Sequence, residues 1–191
     1  MNAPSVAVRP SPPPPGLLAH RTTDLKHGRS AVAVQVVFAV VAAAAVGLAL
    51  TSDLPLAGGW GAVTTWLVTL ALCGVYMVLH ELTHGAALRL LSDSGASFSV
   101  RFPYLSTGSD ACLTKARFVA VALAPMVVCG AVLLVALLTV PAAWFLTLYV
   151  LTALNLAGSA GDLVQVATVA RIPAGALVRD DGSETTVYLP A

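Results

Sequence analysis

The sequence predicts an all-α membrane protein: four transmembrane helices with a small cytoplasmic β-hairpin element. Three observations predict it. The chain of 191 residues is 58% hydrophobic and 10% charged, against about 25% charged in ordinary soluble domains, and its mean hydropathy is +0.86. Four apolar segments each supply the roughly 20 residues that a spanning helix requires. The ten Lys and Arg all fall on one side of the arrangement that those four segments make.

The elements follow in chain order. Residues 1–30 are expected to be a disordered, Pro-rich cytoplasmic tail, since Pro10-Ser11-Pro12-Pro13-Pro14-Pro15-Gly16 cannot join a helix or a sheet ladder. This polar stretch, followed by a full-length apolar run, argues against a cleaved signal peptide. Residues 31–170 form the four-helix domain, with spans at about 31–50, 61–91, 118–140 and 142–170. Asp53, Pro55, Gly58 and Gly59 mark the first turn, and Pro141 the tight turn before the last span. Pro125 is expected to kink the third. Residues 171–191 are a cytoplasmic C-terminal tail.

Arg9, Arg21, Lys26 and Arg29 precede the first span. Arg89, Arg101, Lys115 and Arg117 lie at or between the facing ends of the second and third, and Arg171 and Arg179 follow the fourth. The other two loops contain no Lys or Arg. The positive-inside rule then puts both termini in the cytoplasm, with the cell membrane as the expected location. The net charge of +1 gives no reason to expect a nucleic-acid partner.

Between the second and third spans, Ser97-Phe98-Ser99-Val100-Arg101-Phe102 alternates as a half-buried strand does. Pro103 and then Ser106-Thr107-Gly108 read as a turn, Ala111-Cys112-Leu113 as a short return strand, and Thr114 as the N-cap of the third helix. A second hairpin is expected in the tail: Ala176-Leu177-Val178, a turn at Asp181-Gly182, and Thr185-Thr186-Val187-Tyr188. The two ribbons can pair into one sheet, whose free edge could hold an extended substrate by strand addition. Cys73, Cys112 and Cys129 are odd in number and lack metal-type spacing, so they read as packing residues.

The chemistry concentrates at His80-Glu81-Leu82-Thr83-His84. H-E-x-x-H on a helix sets two imidazoles one turn apart on one face, where they can share a zinc ion. The adjacent glutamate is then placed as general base. Within a membrane each ionisable side chain costs roughly 2.5–3.5 kcal/mol on insertion scales, so the three need a compensating partner. A catalytic zinc takes three protein ligands. Of the nine Asp and Glu, only Glu81 and Asp162 lie inside apolar segments, which leaves Asp162 as the third ligand. Gly158, Ser159, Ala160 and Gly161 permit close helix approach or a break that turns Asp162 toward the metal. The alternative role for Asp162 is the N-cap of a new helical segment.

The second and fourth spans run parallel, from outside to inside. At about 1.5 Å per residue, His84 and Asp162 then reach compatible depths on the cytoplasmic side of the midplane. Asn155, seven residues before Asp162, shares its face. It could bind a substrate carbonyl or oxyanion as a catalytic group, or serve as an interhelical hydrogen bond.

With these residues in hand, the chain resembles the zincin peptidase family of small membrane proteins, akin to site-2 proteases. The likeness covers about Val75 to Leu189. It rests on His80-Glu81-Leu82-Thr83-His84-Gly85, the basic loop, Ala124-Pro125, and Asn155 followed by Gly161-Asp162. Around the aspartate, site-2 proteases carry prolines and Leu-Asp-Gly, whereas this chain has Gly161-Asp162-Leu163. The resemblance implies zinc-dependent hydrolysis of a membrane-protein or peptide substrate in or near the bilayer, with His80, His84 and Asp162 as ligands and Glu81 as base. The rival readings are a catalytically silent zinc-binding scaffold or sensor, and a metal transporter. Transport lacks further intramembrane acids or histidines for a relay.

Overall fold

The computed structural model describes residues 15–24, 28–92, 95–101, 104–182 and 184–190. Strand β1 (Leu17–Asp24) leads to α1 (Gly28–Thr51), and a short connection leads to α2 (Ala62–Leu91). Strands β2 (Ser97–Arg101) and β3 (Tyr104–Gly108) pair as an antiparallel hairpin. The two-residue β4 (Leu113–Thr114) runs directly into α3 (Lys115–Thr139), where the Thr114 side chain accepts from the Arg117 N–H, as the cap expected there should. A single 3-10 turn, Ala142–Trp144, opens α4 (Phe145–Gly158). After Ser159 comes α5 (Ala160–Ala170), followed by β5 (Leu177–Asp180) and β6 (Glu184–Pro190). The four helical stretches Gly28–Thr51, Ala62–Leu91, Lys115–Thr139 and Ala142–Ala170 are long and apolar enough to cross a membrane.

The bundle buries hydroxyl and amide side chains alongside apolar ones, and its outer surface is rich in exposed Leu and Val. On α2 the buried residues are Thr65, Thr69, Tyr76, Gly85 and Leu88, whereas Val63, Leu67, Leu70, Leu79 and Leu90 are exposed. Thr69 and Thr147 share a hydrogen bond of 2.9 Å between α2 and α4, and each is at most 1% exposed. α1 buries no residue at all. Small hydroxyl-bearing residues that bond across helices hold a bundle together where apolar burial supplies no driving force.

Among the described residues, a cluster of buried apolar side chains forms a core at the sheet end of the bundle. Leu88 of α2, Phe118, Val121 and Ala122 of α3 and Val169 of α5 pack there against Leu113 of β4 and Val178 of β5. The sheet above it is antiparallel throughout, in the order β1-β6-β5-β4.

Three expectations change. The tail is not unstructured over its whole length: Leu17–Asp24 forms β1 along β6, because the β5–β6 hairpin leaves that edge's N–H and C=O groups to be paired. The prolines at 10–14 lie outside the described residues, as does Pro103. Ser106-Thr107-Gly108 is strand, not turn; Thr107 pairs with Phe98 and Gly108 with Ser97. The return strand at Leu113 pairs with Val178 of β5 instead of with β2. The two ribbons therefore do not merge into one sheet. They touch where the Ser109 N–H donates to the Asp180 carbonyl at 2.7 Å. The tail hairpin forms with its turn at Asp181-Gly182, as expected.

Candidate metal centre

His80 and His84 sit one turn apart on α2, their ring centroids 5.1 Å apart. Asp162 is in the first turn of α5, where the positive end of the helix favours a carboxylate. The interruption that creates this helix start is at Ser159, whose hydroxyl donates back to the Asn155 carbonyl at 2.9 Å. Asp162 Oδ2 lies 3.4 Å from His80 Nε2, and its Oδ1 lies 3.4 Å from His84 Nε2. The ligand atoms of the three residues all lie within 4.8 Å of one another, and they are the one such group among the described residues. The three cysteines are free thiols outside it.

The far nitrogens of both rings are already engaged. His84 Nδ1 is 3.1 Å from the Val121 carbonyl oxygen, which can only accept, so Nδ1 carries the proton. His80 Nδ1 is 3.0 Å from the Tyr76 hydroxyl. That hydroxyl donates its hydrogen to Asn155 Oδ1 at 2.7 Å, so it too can only accept from the histidine. With Nδ1 as the donor on each ring, both Nε2 atoms face the Asp162 carboxylate. Two imidazole nitrogens and a carboxylate at this range are held together by a shared proton or by a metal cation. Two imidazoles and one carboxylate form a donor set of the kind that would hold a catalytic zinc ion.

Glu81 follows His80 on the same helix. Its carboxylate accepts from the Thr107 hydroxyl of β3 at 2.8 Å. One turn on, Phe98 of β2 covers Gly85: a Cβ there would lie 2.4 Å from the Phe98 ring. The glycine after the second histidine is thus what lets the hairpin approach α2. Glu81, His84, Asp162, Thr107, Gln165 and Asp180 line one cavity of 330 Å³ between the helices and the sheet.

At the sheet side of this cavity, Gln165 Nε2 donates to Asp180 Oδ2 at 3.0 Å and to Thr185 at 3.2 Å, tying the helix of Asp162 to the β5–β6 hairpin. Burial pushes the Asp180 carboxyl above its usual range, against hydrogen bonds from the Gly182 N–H, Thr185 and Gln165 that pull it down.

Of the residues singled out from sequence, His80, His84, Asp162 and Glu81 come together here. Asn155 is next to the centre but 1% exposed, its oxygen taken by Tyr76 and its amide donating to the Met126 carbonyl at 3.1 Å. Of the two roles open to it, the interhelical hydrogen bond is the one these contacts display. Tyr76 escaped the sequence reading, although its position one turn before His80 puts it on the ligand face. Nothing local to Thr107, Gln165 or Asp180 signals that they border the cavity.

Comparison with curated proteins and with solved structures gave no match. A family model matches residues 73–177, which take in more than half of the chain and all of His80, Glu81, His84, Asn155 and Asp162. The chain thus belongs to the family described as "Putative zincin peptidase".

Proposed function

We propose that the protein is a zinc-dependent peptidase that hydrolyses peptide bonds within or beside a membrane. The observation that carries this reading is the convergence of the His80, His84 and Asp162 ligand atoms within 4.8 Å of one another, with Glu81 beside them on the cavity wall. Zinc held there would act as a Lewis acid, polarising a scissile carbonyl and lowering the pKa of water.

The protein's own groups do the rest. Glu81 takes the proton of the attacking water and returns it to the leaving amine. Thr107 orients the Glu81 carboxylate through its hydroxyl, so the base faces the cavity in one rotamer. Asn155 acts at one remove, through Tyr76 and His80. An extended peptide laid along β3 would pass Glu81 directly, which supports strand addition as the way substrate is held.

The four long apolar helices, with hydroxyls inside and Leu and Val outside, support insertion into a bilayer. The one-sided distribution of Lys and Arg supports cytoplasmic termini in a cell membrane. The sheet and the cavity then face the cytosol, the source of the water that hydrolysis consumes.

The test is Glu81→Gln, assayed in proteoliposomes against a panel of membrane-protein and peptide substrates. The variant should keep one zinc per chain while cleavage drops by at least about 100-fold, the scale of general-base catalysis. Full zinc loading with no cleavage even by the native protein would leave a silent zinc-binding scaffold instead.

A further inference from the structure

Pro125 lies inside α3, fully buried, four residues after Val121. A helical residue at 125 would ordinarily donate its N–H to the Val121 carbonyl. Proline has no N–H, so that carbonyl lacks the donor that an α-helix would place four residues on. Val121 is itself buried, and a carbonyl unpaired there carries a desolvation penalty. The group that reaches it is His84 Nδ1, at 3.1 Å from a different helix.

We propose that Pro125 is a positioning residue of the metal centre. By withholding an N–H it reserves the Val121 carbonyl for His84, which fixes the ring as the Nδ1–H tautomer with Nε2 free for the ion. The inference rests on reading His80, His84 and Asp162 as a metal centre. Its logic is that of a second layer of contacts orienting metal ligands, supplied here by a backbone atom that a missing donor exposes.

His80 provides an internal control, because its ring is set by other means. Its Nδ1 donates to Tyr76, whose own hydrogen is committed to Asn155. Asn155 is in turn oriented by the Met126 carbonyl, and its amide fits because residue 130 is glycine: a Cβ there would lie 2.8 Å from Nδ2. The two histidines therefore depend on separate devices, Pro125 through Val121 for one and Tyr76 with Asn155 for the other.

The experiment uses full-length protein in detergent micelles, with ring nitrogens of histidine labelled for NMR at mildly alkaline pH. In the metal-free native protein, both His80 and His84 should show a protonated Nδ1 and a lone-pair Nε2. Pro125→Ala, which gives residue 125 an N–H for Val121, should shift His84 toward the other tautomer and leave His80 unchanged. Tyr76→Phe should do the reverse. Zinc affinity, measured by competition with a chromophoric chelator, should weaken by about 10-fold or more in each variant, the usual scale for losing such a contact.

A purely structural role for Pro125 would disturb both rings together or neither. The proposal fails if His84 in the native protein carries its proton on Nε2. It fails equally if folded Pro125→Ala keeps native His84 tautomer and zinc affinity. The native spectrum decides the first point even if the variant does not fold. Absence of zinc binding by the native protein would remove the metal centre, whereas the tautomer result would stand by itself.

Discussion

The Thr107 hydroxyl on β3 lies 2.8 Å from the Glu81 carboxylate on α2. A strand in the connection between α2 and α3, 26 residues beyond Glu81, therefore holds the group proposed as general base. Thr107→Val keeps the shape and removes the donor. A hydrogen bond to a charged group contributes about 1.5–3 kcal/mol, so turnover should fall by roughly 10-fold or more with zinc content unchanged. Steady-state cleavage rates alongside metal analysis decide the point, and an unaltered rate constant would remove Thr107 from the site.

Gly85 and Phe98 form a second link between α2 and the hairpin. In an open helix Gly→Ala stabilises by about 1 kcal/mol. Here the new methyl meets the Phe98 ring, so Gly85→Ala should instead destabilise by about 1–3 kcal/mol, the usual cost of overpacking. In a Phe98→Ala background the same substitution should turn stabilising. Denaturant unfolding of the four proteins of this cycle in detergent reads the change of sign. The same sign in both backgrounds would mean that the ring does not limit the approach.

Asp180 supplies a pH dependence with a definite sign. Burial raises its folded-state pKa, so the folded protein retains a proton that the unfolded chain has released. Its contribution to stability is complete below the ordinary carboxylate range. It is lost as pH rises from that range through the raised value. The native unfolding midpoint should therefore decline over this window relative to that of Asp180→Asn, which cannot titrate. Parallel profiles for the two proteins would show that Asp180 does not contribute.

Removing metal should cost stability, by an amount that grows with the logarithm of free metal over its Kd. A ligand that binds only the folded state stabilises by about 2.7 kcal/mol at 100 times its Kd. A chelator should lower the unfolding midpoint of the native protein and leave that of the His80→Ala, His84→Ala double variant where it was. Equal shifts in both would locate the metal elsewhere.

Much of this was legible in the chain, for reasons that particular residues make plain. His80 and His84 are one turn apart, so any helix puts them together, and Asp162 was identifiable because an acid inside an apolar segment is expensive. The hairpin at Asp181-Gly182 follows from local turn chemistry. β1 was not legible: Leu17–Asp24 has no strand signature of its own and is ordered by the open edge of β6, far away in the chain. Ser106-Thr107-Gly108 misled for the converse reason, since its turn-forming composition gives way to pairing with Ser97 and Phe98.

The sequence by itself determined the number of apolar helices, the grouping of the Lys and Arg relative to them, and the choice of His80, His84, Asp162 and Glu81 as candidate ligands and base. Each follows from local composition or from a spacing within one helix. Only the tertiary structure decided that Asp162 meets both histidines at 3.4 Å, that Tyr76 and the Val121 carbonyl orient their rings, and that Thr107 holds Glu81. Those contacts join separate helices and a strand. Their geometry is set by how the elements pack, through Gly85 under Phe98 and the break at Ser159, and no pattern within a single segment encodes it.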